Sequence, residues 1–182
     1  MEVDEPIHLE PYNSTWASWF AADAEELKGV LGQRLQALEH FGSTAVPSML
    51  AKPVVDILLA PSQWPASDGF LSSVQALGYE HLGNAGVPGR EYLRRRALHD
   101  TNLAVVSWQG AHWRNNLAIR DFLRANPQFA VRYSAVKRQA WERGATALLA
   151  YSQAKASFMA ELASAALGSA SSPMVVAVRQ ES

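Results

Sequence analysis

The sequence predicts an α+β fold: a short mixed β-sheet with helices, followed by a helical C-terminal half. The first observation is the order of the elements along the chain: the internal strand candidates all precede residue 110, and helical patterns occupy 111–167. The second is the apolar run VVDILL at 54–59, which is typical of a central strand buried on both faces. Strands that gather first and helices that gather later favour this arrangement over a repeating βαβ sheet.

The N-terminal elements follow from apolar spacing and capping residues. A first helix is predicted to begin near Asn13 or Ser14, since either side chain can cap free backbone N–H groups. Its apolar stripe has helical spacing and comprises Trp16, Trp19, Phe20, Ala24, Leu27 and Leu31. A strand candidate at 35–41 then ends at Gly42, before the 54–59 strand.

A second helix and two more strands complete the predicted sheet region. The helix is predicted over 70–77, with Ser67 or Asp68 as its cap and Gly78 as its stop. Strands are predicted at 91–96 and 102–108.

The C-terminal half is predicted to contain three helices. The first covers 113–125, and Asn126 and Pro127 mark the start of the next, because proline suits the first helical position. The last is predicted over roughly 147–167. We expect residues 1–170 to form one domain, with 171–182 as a tail that is either disordered or a pairing strand.

Composition excludes several classes of function. The chain has 182 residues and a formal net charge of −1, so it lacks the overall positive charge that nucleic-acid binding requires. It contains no cysteine, which excludes disulfides and thiolate-bound metals. Its acidic N-terminus is unlike a signal peptide, and no apolar window is long enough for a bilayer. We therefore expect a cytoplasmic protein, a monomer or homodimer, that binds neither membrane nor nucleic acid.

The segment HFGSTAVP at 40–47 and Asp56 carry the clearest chemical signal. Gly42 and Ser43 just after a strand let backbone N–H groups approach an anion. Asp56 on the next strand can then hold a divalent cation that bridges to phosphates, magnesium being the candidate. The structural alternative for Gly42 and Ser43 is a tight turn with a helix cap. Asp56 is harder to explain structurally, because a buried carboxylate is costly unless it is paired or metal-bound.

These segments resemble the GrpB (UPF0157) family. The resemblance rests on HFGSTAVP at 40–47, KPVVDI at 52–57, GVPGR at 86–90 and IRDFLRA at 119–125, and it continues through YSAVK at 133–137 to Tyr151, Lys155 and Phe158. It covers roughly residues 8–167 in consistent order. It implies a nucleotidyltransferase-superfamily fold, with the glycine-serine loop and the strand aspartate as its shared core, but it does not define a reaction.

Two departures bear on the expected chemistry. An active nucleotidyltransferase usually has a second carboxylate two residues after the first, on the same strand face, where this chain has Leu58. The family's His-His-Leu-His strand is replaced here by TNLA at 101–104, with His99 and Asp100 just before it. Ordinary two-metal nucleotidyl transfer is therefore not expected.

The remaining candidate residues follow from this setting. His40, Asp56 and Asp100 are candidate catalytic groups, since a carboxylate or imidazole in a closed apolar pocket can be tuned toward neutral pH. The candidate ligand-binding residues are Gly42, Ser43, Lys52, Arg90, Asn102, Arg120 and Lys137. Solvent-exposed lysines are the alternative for Lys52 and Lys137, and ion pairing within or between helices is the alternative for Arg120 and Asp121.

Three hypotheses remain open on the sequence. The first is an enzyme that binds a nucleotide or another phosphorylated small molecule through Asp56 and one divalent cation. The second is a degenerate nucleotidyltransferase fold that binds an anionic small molecule, or acts on one, without metal. The third is a non-enzymatic interaction protein that dimerises through its C-terminal helices.

Overall fold

The computed structural model of the chain describes residues 6–170. Its N-terminal elements are α1 (Thr15–Leu31), β1 (Leu35–Phe41), β2 (Val54–Pro61), α2 (Asp68–Gln75), β3 (Glu80–His81), β4 (Arg90–Arg96) and β5 (Asp100–Val106). Four helices follow, namely α3 (Ala111–Ala125), α4 (Pro127–Glu142), α5 (Leu148–Ala154) and α6 (Ala156–Ala170). Within this part of the chain, no helix combines the length and apolarity that crossing a bilayer would demand.

The strands form one mixed sheet in the order β1-β2-β5-β4-β3. β2 and β5 are parallel, whereas the other neighbouring pairs are antiparallel. The predicted α+β class with a short mixed sheet is thus confirmed. Strand β3 was not predicted, because its two residues are too few to show an alternating pattern.

Each face of the sheet packs against different helices. Ile57 and Leu103 belong to a core on the α1/α2 face that includes Leu27 and Phe70. On the opposite face, Leu58 and its neighbours on β5 pack beneath Trp113 of α3. Because side chains alternate along a strand, Asp56 points to the same face as Leu58.

The helical half covers the loop that follows β1. Val46 and Met49 of this loop pack with Leu123, Tyr133 and Phe158 in one buried cluster. The loop is therefore fixed between the sheet and the C-terminal helices, and this arrangement brings residues of distant sequence together beside Gly42 and Asp56.

The expectation of one continuous helix over roughly 147–167 is wrong. Lys155 interrupts it with φ −103° and ψ 2°, so that α5 ends at Ala154 and α6 begins at Ala156. The break lets α5 pack against α4 while α6 packs mainly against α3. Most other boundaries agree within about two residues, and the predicted cap Ser67 accepts a hydrogen bond from the Phe70 backbone N–H. The predicted tail, 171–182, lies outside the described residues.

Candidate functional site

Gly42 and Asp56 form the tightest contact of the site. Phe41 at the end of β1 pairs with Asp56, so the backbone of Gly42 passes beside the aspartate side chain. Gly42 has a φ of 72°, and a Cβ placed there would collide with the Asp56 carboxylate. Both the backbone conformation and the available space therefore require glycine.

Asn102 holds the Asp56 carboxylate in place. Its side-chain amide donates to Asp56 Oδ1 at 2.8 Å, and its own Oδ1 accepts from Arg96 at 3.0 Å. This contact follows from the parallel register, in which Asp56 and Asn102 are partners on β2 and β5. Burial raises the pKa of Asp56, while Lys52, the bond from Asn102 and Lys155 oppose that rise.

Lysines surround this carboxylate. The chain contains four lysines, and Lys52, Lys137 and Lys155 line one small cavity of about 70 Å³ together with Ser43 and Asp56. A second cavity of about 210 Å³ lies beside it and shares Ser43, Asp56 and Lys155. We refer to the two cavities together as the Asp56 site.

Lys137 is a buried lysine fixed by three contacts. Its side chain is 1% exposed, so the expectation of an exposed surface lysine is wrong for this residue. The ammonium donates to Ser43 Oγ at 2.6 Å and to the Leu50 carbonyl at 2.8 Å, and it lies 4.1 Å from the centre of the Tyr133 ring. Burial and the nearby Lys155 hold the pKa of Lys137 well below its usual value, and Asp56 partly offsets them.

Lys155 stands between the two cavities. Its Nζ lies 4.3 Å from the centre of the Tyr151 ring. Burial and the charge of Lys52 lower the pKa of Lys155 to about 8, despite the opposing effect of Asp56. Part of the population therefore carries a neutral amine near neutral pH.

The charges of the site fit an anion better than a divalent cation. In the part of the chain that the structure describes, Asp56 is the single carboxylate that lines either cavity, and it lies among three lysines and, in the larger cavity, Arg120. Within residues 6–170, no group of three histidine, aspartate or glutamate side chains is placed to hold a metal ion. Leu58, at the position of the missing second carboxylate, is fully buried in the core beneath Trp113. Magnesium at Asp56 stays a prediction that this donor set does not favour.

His40 lies on the opposite face of the sheet from Asp56. It pairs with Ile57, stacks on Phe20 at a ring separation of 4.7 Å and places Nε2 3.0 Å from Thr44 Oγ1. It lines a separate cavity of about 460 Å³ with Arg124. Burial and the charges of Arg124 and Arg120 lower its pKa to about 4. Thr44 also lines the small lysine cavity, so it is the link between His40 and the Asp56 site.

Asp100 and Arg90 do not line the Asp56 site. Asp100 lies 3.6 Å from Arg96 and faces a recess that it shares with Lys52. The Arg90 guanidinium donates to the carbonyls of Asn84 and Ala85, and it therefore holds its own loop in place.

Arg120 reaches the site from α3. It lines the larger cavity, donates to Glu39 at 2.8 Å and to the His40 carbonyl at 2.9 Å, and also pairs with Asp121. The expected pairing with Asp121 is therefore present, and Arg120 also ties α3 to β1.

Three residues that line the site, Lys155, Tyr151 and Tyr133, were not among the predicted site residues. The available signal was the scarcity of lysine, because a chain with 12 arginines places three of its four lysines around one carboxylate. A second signal was the i,i+4 spacing of Tyr151 and Lys155, which indicates that the two side chains can contact each other. The same spacing also fits an ordinary helix surface.

Comparison with known proteins identifies relatives of this arrangement. A family model described as GrpB protein matches residues 6–165. The UPF0157 protein YqkA of Bacillus subtilis is 36% identical over 129 residues, which is 70% of this chain and 38% of that protein. The Glutamate-rich protein GrpB of Alkalihalophilus pseudofirmus is 28% identical over 162 residues, covering 86% of this chain and 93% of that protein.

The chain also resembles a solved GrpB structure and part of a larger protein with a different name. The crystal structure of conserved protein GrpB from Enterococcus faecalis superposes with a TM-score of 0.82 at 28% identity, covering 90% of this chain and 99% of that chain. A protein named Dephospho-CoA kinase from Mycolicibacterium paratuberculosis is 28% identical over 166 residues, which is 76% of this chain. The match spans 40% of that kinase, well under half of its length.

Proposed function

The chain belongs to the GrpB family, and on this premise we propose that the Asp56 site binds a small anionic ligand through lysine side chains without needing a divalent cation. The ligand carries a phosphate or carboxylate group. The observation that supports this most is the convergence of Lys52, Lys137 and Lys155 with Ser43 around a single carboxylate.

The three lysines surround the place where the ligand's phosphate or carboxylate would bind. Lys137 is already fixed by Ser43 and Leu50, so little side-chain entropy is lost when a ligand contacts it. Lys52 and Lys155 stand on other walls of the same small cavity. Charge-assisted hydrogen bonds from ammonium groups to phosphate or carboxylate oxygens are stronger than neutral ones. An anion among these groups would also restore the protonated state of the lysines whose pKa values burial lowers.

As part of this proposal, the fold is related to that of the nucleotidyltransferases. This relation is supported by a glycine-serine loop at the end of one strand and an aspartate facing it from the next. The buried Leu58 argues against the two-metal form of that chemistry. The fold would then retain the phosphate-binding loop while lysines supply the positive charge that metal ions supply elsewhere.

A nucleotide ligand with magnesium is the second candidate. The relative named Dephospho-CoA kinase is the observation that favours it, because its name says that this protein phosphorylates dephospho-CoA. Dephospho-CoA and ATP therefore belong among the ligands to be tested.

The test is a thermal unfolding series with orthophosphate, ATP, dephospho-CoA and small carboxylates, each with EDTA and with magnesium. We expect an anion to raise the midpoint temperature equally in both conditions, since binding to the folded state alone stabilises it. Lys137→Gln should lose this shift, whereas the exposed Lys28→Gln serves as the charge-matched control and should keep it. Stabilisation that appears only with magnesium, or equally in Lys137→Gln, would refute the proposal.

A further inference from the structure

The side chain of Lys155, unlike that of Lys137, has no hydrogen-bond acceptor within the described part of the chain. Lys137 is committed to Ser43 and Leu50, whereas the contact made by the Lys155 Nζ is with the face of the Tyr151 ring. Lys155 lines both cavities, and so does Asp56. An amine in this position is open to a molecule that enters either cavity.

Neighbouring positive charge and an apolar wall are the conditions that turn a lysine into a nucleophile. Lys155 has both, since Lys52 acts on it electrostatically and Tyr151 and Met159 line the walls beside it. Asp56 lies across the same cavities and, because burial raises its pKa, is suited to exchanging a proton with a bound molecule.

We propose that Lys155 forms an imine with the carbonyl carbon of an anionic aldehyde or ketone, whose phosphate or carboxylate is held by Lys52, Lys137 and Ser43. This rests on the anion site proposed above and names its substrate class. It assigns Lys155 as a catalytic residue and Asp56 as the group that exchanges protons with the intermediate.

The covalent step balances without an added reagent. The nitrogen lone pair of neutral Lys155 attacks the carbonyl carbon, and one N–H proton passes from the nitrogen to the carbonyl oxygen to give a neutral carbinolamine. Asp56, in its protonated form, donates a proton to the departing hydroxyl, which leaves as water as the C=N bond forms. The nitrogen loses its second hydrogen as a proton to the Asp56 carboxylate, so the net change is amine plus carbonyl to imine plus water.

Reductive trapping tests the imine directly. The whole protein is incubated at pH 7 with glyoxylate and sodium cyanoborohydride, and peptide mass spectrometry locates the resulting secondary amine. Only four lysines can be modified, and the exposed Lys28 reports the rate of an ordinary lysine in the same sample. The α-amino group is scored separately.

We expect Lys155 to be labelled at least about tenfold faster than Lys28, because a larger share of it is neutral at this pH. Inorganic phosphate should slow labelling of Lys155 and leave Lys28 unchanged. Lys155→Arg should lose the fast label, because a guanidinium stays protonated and does not form the imine.

The outcomes separate the two proposals. Labelling of Lys155 no faster than that of Lys28, with phosphate still stabilising the protein, would overturn the imine and leave the anion site standing. Fast labelling at Lys137 instead of Lys155 would overturn the assignment to Lys155. A third outcome is that Lys155 labels fast while phosphate neither slows the labelling nor raises the midpoint temperature. That result would overturn the anion site and leave the reactive amine standing.

Discussion

The backbone of Gly42 lies against the carboxylate of Asp56 so closely that no side chain fits between them. This contact joins the two features that the sequence singles out, the glycine after the first strand and the charged residue within the second. Both residues line the larger cavity, so the contact forms part of the wall of the Asp56 site.

Replacing Gly42 by alanine should destabilise the protein more than the same change at Gly86. Both residues have a positive φ, 72° and 78°, but a Cβ at Gly86 meets nothing within 4 Å. We expect Gly86→Ala to lower the free energy of unfolding by about 1 kcal/mol, and Gly42→Ala by about 1 kcal/mol or more beyond that. Urea denaturation of the two variants measures the difference, and equal losses would contradict the contact.

Removing Asn102 should destabilise the protein through Asp56. Asn102→Ala deletes the 2.8 Å hydrogen bond to Asp56 Oδ1, and we expect a loss of about 1–2 kcal/mol in the free energy of unfolding. In a double-mutant cycle with Asp56→Asn, the two changes should couple by about 0.5 kcal/mol or more. Additive effects would mean that the two side chains do not interact in solution.

His40 should make stability depend on pH in the acid range. Its pKa in the folded protein is about 4 against an ordinary value of 6.5, so the unfolded chain binds more protons between these values. Stability should therefore fall as the pH is lowered from about 6.5 to 4, by up to about 3 kcal/mol from this residue.

His40→Gln, which can still bond to Thr44, isolates this contribution. The raised pKa of Asp56 has the opposite sign, since it favours the folded protein as the pH falls, but it is common to both proteins and cancels in their difference. Unfolding free energies measured at several pH values should show a smaller acid loss in His40→Gln. Parallel pH profiles would contradict the burial of a neutral imidazole.

Asp23 should be the most sensitive ion-pairing residue in the described part of the chain. Its side chain is 2% exposed and accepts hydrogen bonds from Arg95 and Thr101, both at 2.6 Å, with His99 at 3.0 Å. Asp23→Ala removes the buried carboxylate that these three residues share and leaves Arg95 only the exposed Glu26. It should therefore lower the free energy of unfolding by about 3 kcal/mol.

Glu26 is the matched comparison, because it contacts the same Arg95 at 2.6 Å but is 43% exposed. Glu26→Ala should lower the free energy of unfolding by less than about 1 kcal/mol. Chemical denaturation of both variants gives the ratio, and similar losses would show that burial does not set the strength of this network.

Helices and strands could be predicted from the sequence where they are long enough for their apolar residues to show a regular spacing. Helix α1 and the buried strand β2 follow from apolar spacing alone, and the cap at Ser67 follows from local hydrogen-bonding chemistry. The two-residue β3 carries no such pattern. The break at Lys155 depends on which helices α5 and α6 contact, and local propensity does not contain that information.

Sheet pairing made only part of the site's geometry predictable, although Asn102, Arg120 and Lys137 were also named as candidates. Gly42 and Ser43 directly follow β1, which pairs with the strand that carries Asp56, so their proximity to Asp56 follows from sheet pairing. Lys137 reaches Ser43 across 94 positions of sequence, and its position depends on how the helical half packs over the loop after β1. Exposure of a lysine cannot be read from its own neighbours in sequence, which explains why Lys155 was missed as a site residue.

Phosphate binding to Asp56→Asn in the presence of EDTA tests the central proposal most directly. If lysines hold the anion, removing the neighbouring negative charge should leave the affinity unchanged or make it tighter, because the repulsion between the carboxylate and the ligand is lost. Isothermal titration of wild type and variant, each with EDTA and with magnesium, gives the comparison. Binding that requires magnesium in wild type and disappears in Asp56→Asn would instead place a cation between Asp56 and the ligand, and would contradict the lysine site.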